Sequence, residues 1–170
     1  TWQAGSVGEK LKDKSLNDYP FLTSDVNAFV DLDQRKGEFR ANGDASFIEF
    51  PYNMYETRLD QMIWYMDEDE VALSQGKLLQ ENTVDIGIDS LRTNGPVYTS
   101  THPQMDSLNF VAPEAIYNYR TRKLHAHEVP FIEVADAYVF PYEGELNIGY
   151  RASMSLLENA KVMANQVNRQ

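Results

Sequence analysis

Cysteine is absent from the chain, so neither a disulfide framework nor a thiolate metal site can form. That absence suits an oxidising and a reducing compartment equally. No apolar run approaches the ~18 residues that a membrane-crossing helix needs, and no membrane span is expected. Basic residues are scarce, with 15 Lys and Arg against 26 Asp and Glu and a formal net charge of −11. This argues against DNA or RNA as a partner, because phosphate binding requires clustered cations that release counterions. Anionic membrane surfaces are disfavoured by the same repulsion, and a phosphorylated lipid would need a bridging divalent cation. The chain starts with Thr rather than Met, and no charged and then apolar leader stands at its start. It therefore reads as a processed chain or as a segment of something longer. Catalytic signatures are also missing: there is no Gly-x-Ser-x-Gly elbow, no His-Glu-x-x-His and no Gly-rich phosphate loop. With three histidines in all, no stretch dictates a reaction, and the chain is not expected to be an enzyme.

What is present is aromatic and strand-forming. Ten Tyr and eight Phe among 170 residues, set in segments rich in Val and Ile, favour sheet over helix. The length fits one domain with a real core. Four stretches follow one template of strand, polar tip and strand: Ala28–Ala41, Met62–Leu73, Ala115–Ala126 and Ala137–Ile148. In register, Leu32, Trp64, Tyr117 and Val139 each precede by seven residues Phe39, Val71, Leu124 and Leu146. A recurring hairpin is the mark of stacked β architecture, in which neighbours supply the core that no unit can bury alone.

Residues 1–24 read as a polar lead-in, a loop or short helix, and residues 25–168 as a single β-repeat domain. Val26, Ala28, Val30 and Leu32 alternate as a strand, Arg35-Lys36-Gly37 turns the chain, and Asn42-Gly43 supplies a second turn into Ser46–Phe50. Pro51 stops regular pairing, so 51–60 looks like an insertion or irregular edge. Val84–Ile88 alternates again, and Asn94-Gly95-Pro96 is a strong turn signal before Val97–Thr101. Phe131-Ile-Glu-Val134 matches Phe47-Ile-Glu-Phe50 in wording and in place. Residues 154–167 carry both a helical and a strand spacing, and the context favours strand.

Six phrases carry a resemblance to a known family: Gly37-Glu-Phe-Arg-Ala-Asn42, Phe50-Pro-Tyr-Asn53, Asp60-Gln-Met-Ile-Trp64, His102-Pro-Gln-Met-Asp-Ser-Leu108, Val134-Ala-Asp-Ala137 and Glu158-Asn-Ala-Lys-Val-Met-Ala-Asn165. At these points the chain resembles the OstA-like lipopolysaccharide-transport proteins and the β-repeats of very large Gram-negative envelope proteins. The resemblance implies an all-β fold of stacked antiparallel hairpins, an open β-jelly-roll or solenoid-like sheet. It also implies a periplasmic or cell-envelope location, a lipid or glycan ligand, and adjoining β-repeats of a longer chain or a partner protein. Inward-facing apolar residues would then line a groove for acyl chains: Val30, Phe39, Phe50, Ile63, Tyr65, Ile116, Leu124, Phe131, Val139 and Ile148. Apolar alternation equally describes an ordinary core.

Four constellations bear on chemistry. His125 and His127 share one strand face with Glu128 next to them, and two imidazoles at that spacing bind Zn²⁺ or Cu²⁺ if a third ligand arrives from elsewhere. The plainer reading is an exposed strand end, and no metal or cofactor is expected. The acidic tip Asp67-Glu68-Asp69-Glu70 lacks the Gly and the alternating carboxylates of a calcium loop, and reads as a solvated turn that discourages edge pairing. Glu49 and Glu133, at equivalent places in two similar strands, are the pair a glycoside hydrolase would use. Tyr52, Tyr55, Trp64 and Tyr65 could form a sugar-stacking platform, although Trp64 in its hairpin register also suits a core anchor. The reading adopted is a non-enzymatic β-repeat scaffold or lipid- or polymer-carrying segment. A carbohydrate-binding β-sandwich comes second and a β-sandwich hydrolase third.

Overall fold

The computed structural model of the chain describes residues 19–43, 45–74, 95–105, 108–135 and 137–164. Across them run β1 (Leu22–Ser24), β2 (Val26–Asp31), β3 (Lys36–Ala41), β4 (Phe47–Phe50), β5 (Tyr55–Arg58), β6 (Gln61–Tyr65), β7 (Glu70–Ser74) and β8 (Val97–Ser100). There follow β9 (Asn109–Val111), β10 (Glu114–Asn118), β11 (Lys123–His127), β12 (Ile132–Val134), β13 (Ala137–Phe140), β14 (Leu146–Ile148) and β15 (Lys161–Ala164). Single 3₁₀ turns occupy Tyr142–Gly144 and Tyr150–Ala152. The protein is thus all-β, with two antiparallel sheets that do not close on one another, an open β-jelly-roll.

The recurring unit is visible in its turns. Residues 32–35, 66–69 and 119–122 connect β2 to β3, β6 to β7 and β10 to β11. In each the last turn residue, Arg35, Asp69 or Arg122, has a positive φ of 51°, 58° or 55°. Each turn is also stitched to its neighbour: Met66 N donates to Arg35 O at 3.1 Å and Tyr119 N to Asp69 O at 2.9 Å. Asp31 and Asn118, one residue ahead of their turns, accept backbone N–H bonds from Gln34 and Thr121 at 3.0 and 2.9 Å. These local side-chain bonds favour turns over a continuing strand.

Hairpins alternate between the sheets. The seven-stranded sheet has the order β14-β11-β10-β7-β6-β3-β2, and the eight-stranded sheet β1-β4-β5-β8-β9-β12-β13-β15. Strand order follows chain order in both, so each unit touches its predecessor and successor, the geometry of a stack. Trp64 faces Val71 and Tyr117 faces Leu124 across their strands, as the seven-residue spacing predicts. The first member of the series is displaced: Leu32 lies in the turn, and Val30 pairs with Gly37 while Phe39 pairs with Ala28. The last is not a hairpin, because Val139 and Leu146 belong to β13 and β14 in different sheets.

Two further expectations change. Residues 51–60 are no insertion: 51–54 form a four-residue turn, with Met54 at φ 55°, and Tyr55–Arg58 is β5, paired with β4 and β8. Pro51 sits in the turn, where no ladder donor is required. Leu22–Ser24, the end of the expected lead-in, forms β1 against β4. Residues 1–18 and the strand expected at Val84–Ile88 lie outside the described residues. Of the 154–167 stretch, Lys161–Ala164 is a strand paired with β13.

Candidate functional site

Strand parity fixes which side chains enter the space between the sheets. In the eight-stranded sheet the row Thr23, Ile48, Thr57, Tyr98, Phe110, Ile132, Val139, Val162 runs across every strand on the inner face. In the seven-stranded sheet the inner rows are Ala28, Phe39, Met62, Leu73, Ala115, Ala126, Leu146 and Val30, Gly37, Trp64, Val71, Tyr117, Leu124, Ile148. The middle of the stack is filled. Phe50 lies against Tyr117 at 4.7 Å, and Phe110 stacks on Tyr98 at 4.9 Å and tilts against Tyr55 at 5.6 Å between ring centroids. Burial raises the hydroxyl pKa of Tyr55 and Tyr98 and pushes that of Tyr117 up to about 12. None of these three hydroxyls has a hydrogen-bond partner among the described residues.

The expected groove residues divide among several places. Phe50 is fully buried in the central core, and Phe39 and Val139 pack against that core from its flanks. Leu124 and Ile148 are core members. Ile63, Tyr65 and Ile116 stand on the opposite, outer face of their sheet, because Met62, Trp64, Ala115 and Tyr117 beside them take the inner positions. Phe131 is buried apart from the central core, in an edge-on contact with Tyr138 at 5.3 Å. The inner surface becomes accessible only toward the ends of the stack. At one end, edge strand β2 leaves Val30 45% exposed and Phe29, on its outer face, 66% exposed. At the other, Val162 of edge strand β15 is 63% exposed. The sequence hid these ends because exposure depends on where a sheet stops.

A polar cluster decorates the outer face near the second end. His125 and His127 alternate with buried Leu124 and Ala126 on β11. Glu145, which immediately precedes β14, reaches back to both. His127 Nδ1 donates to its Oε1 at 3.1 Å, and His125 Nε2 donates to Oε2. The imidazole centroids are 4.2 Å apart and inclined by 40°. The hydrogen bond from His127 does most to hold the Glu145 carboxyl below its ordinary range, and His125 adds to it. Glu128, the neighbour in sequence, instead turns the chain at φ 55°. His102 sits elsewhere, its Nδ1 accepting from Gln104 N at 3.2 Å. Glu145 escapes sequence inspection because the chain passes through the other sheet between β11 and β14.

The other constellations disperse. Glu49 and Glu133 share one outer row, with Glu56, Thr99 and Asn109 between them. Four strand spacings of ~4.8 Å place their backbones roughly 19 Å apart, well beyond the separations of glycosidase carboxylates, ~10 Å at most, so this pair cannot act together. The acidic tip is met by cations from the flanking turns, Arg35 Nε to Asp67 Oδ1 at 2.5 Å and Arg120 Nε to Asp69 Oδ2 at 2.7 Å. Trp64 turns inward over Gly37, where a Cβ would stand 3.4 Å from the indole and 3.0 Å from Phe39. Tyr55 is in the core, Tyr65 is outside beneath Lys36 at 6.0 Å, and Tyr52 pairs with Tyr150 at 4.8 Å. No common stacking platform results.

No family model matches the chain, and no curated protein matches it. Among solved structures it is similar to the crystal structure of LptH, the LptA-homologous periplasmic component of the conserved lipopolysaccharide transport device from Pseudomonas aeruginosa. The TM-score is 0.56 at 10% identity, over 88% of this chain and 97% of that one. At that identity the likeness shows the fold, an open antiparallel β-jelly-roll.

Proposed function

We propose that this protein is a non-enzymatic β-repeat segment of a Gram-negative cell envelope. It extends by edge pairing with an adjoining β-repeat and shelters an acyl chain where the inner face opens at the ends of the stack. The observation that carries this reading is the pair of ends: β2 and β15 are sheet edges with apolar, exposed side chains at Phe29, Val30 and Val162. An unblunted apolar edge is a template for another strand. The LptH structure belongs to a lipopolysaccharide transport device, and a lipid with acyl chains is the ligand class that suits apolar ends of this kind. Because aromatic side chains fill the middle of the stack, a bound chain lies at an end rather than threading through. Among the described residues no helix is long and apolar enough to cross a membrane. With a net charge of −11, the protein holds its ligand by apolar contact and keeps anionic headgroups in solvent or bridged by cations.

Native mass spectrometry of the protein extracted from Gram-negative cells tests this. Wild type is expected to carry lipid adducts and to form concentration-dependent oligomers. Val30→Asp together with Val162→Asp should lose both while keeping the far-UV circular dichroism of the fold. A lipid-free monomer at every concentration would overturn the proposal.

A further inference from the structure

We infer that His125, His127 and Glu145 form a binding site for a divalent transition metal, Zn²⁺ being the best fit. The donor atoms of the three residues all lie within 4.8 Å of one another. Tetrahedral Zn²⁺ with bonds of ~2.0–2.1 Å places its ligand atoms ~3.3 Å apart, so shifts of about an ångström in exposed side chains suffice. Both imidazoles already point a ring nitrogen at one carboxylate. When a cation replaces the two ring protons, the same nitrogens and oxygen face it.

The backbone supports this placement. The two-residue period of β11 brings both rings to one face, and the pairing of Ala126 with Leu146 and of His125 with Asn147 sets Glu145 beside them, just ahead of the next strand. The surroundings favour a cation as well. A surface depression at the cluster is lined by Glu114, Glu128 and Glu143 together with His127 and Glu145. Its carboxylates attract a divalent ion and leave an open position for water or a fourth ligand. Two nitrogens and one carboxylate oxygen are a borderline donor set that prefers Zn²⁺, Ni²⁺ or Cu²⁺ to Ca²⁺ or Mg²⁺. The bound ion would link β11 to edge strand β14 and fasten the end of the seven-stranded sheet.

Untagged protein titrated with zinc chloride alone, followed by isothermal titration calorimetry, tests the site. One Zn²⁺ per chain is expected. Loss of an outer-shell partner typically weakens a metal site ~10–100-fold, so His125→Ala or His127→Ala, which delete direct ligands, should weaken binding by at least ~100-fold. His102→Ala should leave it unchanged. In the wild-type protein, ring-proton resonances of His125 and His127 should move on zinc addition while those of His102 stay, a readout that needs no variant to fold. Absence of saturable binding, or equal affinity in the His125→Ala/His127→Ala double variant, would overturn the inference.

Discussion

Asn53 ties the two sheets together, and Asn53→Ala should be among the most damaging single changes in the protein. Its side chain is fully buried. From the turn between β4 and β5 its amide nitrogen donates to Arg122 O at 3.0 Å, Ile148 O at 3.2 Å and Gly149 O at 3.0 Å, all on the other sheet or its exits. The backbone follows the same route, with Ala152 N donating to Asn53 O at 2.7 Å and Arg151 N to Tyr52 O at 3.1 Å. Two amide hydrogens shared among three carbonyls represent about two hydrogen bonds, worth ~0.5–1.5 kcal/mol each. Alanine also leaves these carbonyls without their buried donor, which adds ~1–3 kcal/mol. A total loss of roughly 2–6 kcal/mol follows, a large share of the ~5–15 kcal/mol available to a domain.

Urea unfolding followed by the fluorescence of Trp64, which packs against the core, measures it by linear extrapolation. Asn53→Asp should be at least as harmful, since a carboxylate offers no donor and faces three carbonyl oxygens. A loss below about 1 kcal/mol for both variants would refute the reasoning and show that water or backbone rearrangement replaces the amide readily.

Glu49 and Glu56 face each other across β4 and β5, and burial first, then the Glu56 charge, raises the Glu49 pKa above its ordinary value. A carboxyl that binds its proton more tightly when folded detracts from stability above that pKa and not below the unfolded one. Glu49→Gln should therefore raise the unfolding free energy from urea titration at pH 7, by up to ~1 kcal/mol as for a like-charged cross-strand pair, and the gain should vanish near pH ~3.5; a gain that grows on acidification would contradict this. The Tyr98 hydroxyl is buried without a partner, so Tyr98→Phe should leave stability unchanged or raise it by up to ~1 kcal/mol. A calorimetric loss exceeding that would mean the hydroxyl is satisfied in solution.

Local periodicity carried much of this architecture. The spacing of Trp64 from Val71 and of Tyr117 from Leu124 reports true cross-strand partners, and the echo of Phe47–Phe50 in Phe131–Val134 reports two strands of one sheet, with Ile48 and Ile132 in the same inner row. What failed was whatever required knowing where the chain goes after a strand. Val139 and Leu146 have the spacing of a hairpin, yet the chain crosses to the other sheet between them, and a seven-residue interval cannot tell a return from a crossing. Leu32 imitates a rung of the ladder but lies in a turn, where it is exposed. Parity divides the expected groove residues: with Met62 and Trp64 inward, Ile63 and Tyr65 must face out, however apolar they are. Tyr55 and Thr57 show the reverse: they alternate inward in β5, in a stretch where Pro51 and the polar residues around it conceal a strand.

A stack whose strand order follows the chain has no equivalent ends, and this governs where its chemistry can lie. Every central hairpin is covered on both sides by its neighbours, so its inner side chains are committed to packing, as Phe50, Tyr98 and Tyr117 are. Among the described residues, the first and last units retain inner surface to offer. The first presents β2, with Phe29 and Val30 at a sheet edge, and the last presents β14 and β15, with Val162 exposed; the His125–His127–Glu145 cluster lies beside it, on the outer face of β11 and just ahead of β14. Because these surfaces differ, joining one end to the other is heterologous and need not close into a ring, so it extends along the stack. In the proposed reading the aromatic interior is a rigid spacer that fixes the distance and orientation between two dissimilar ends.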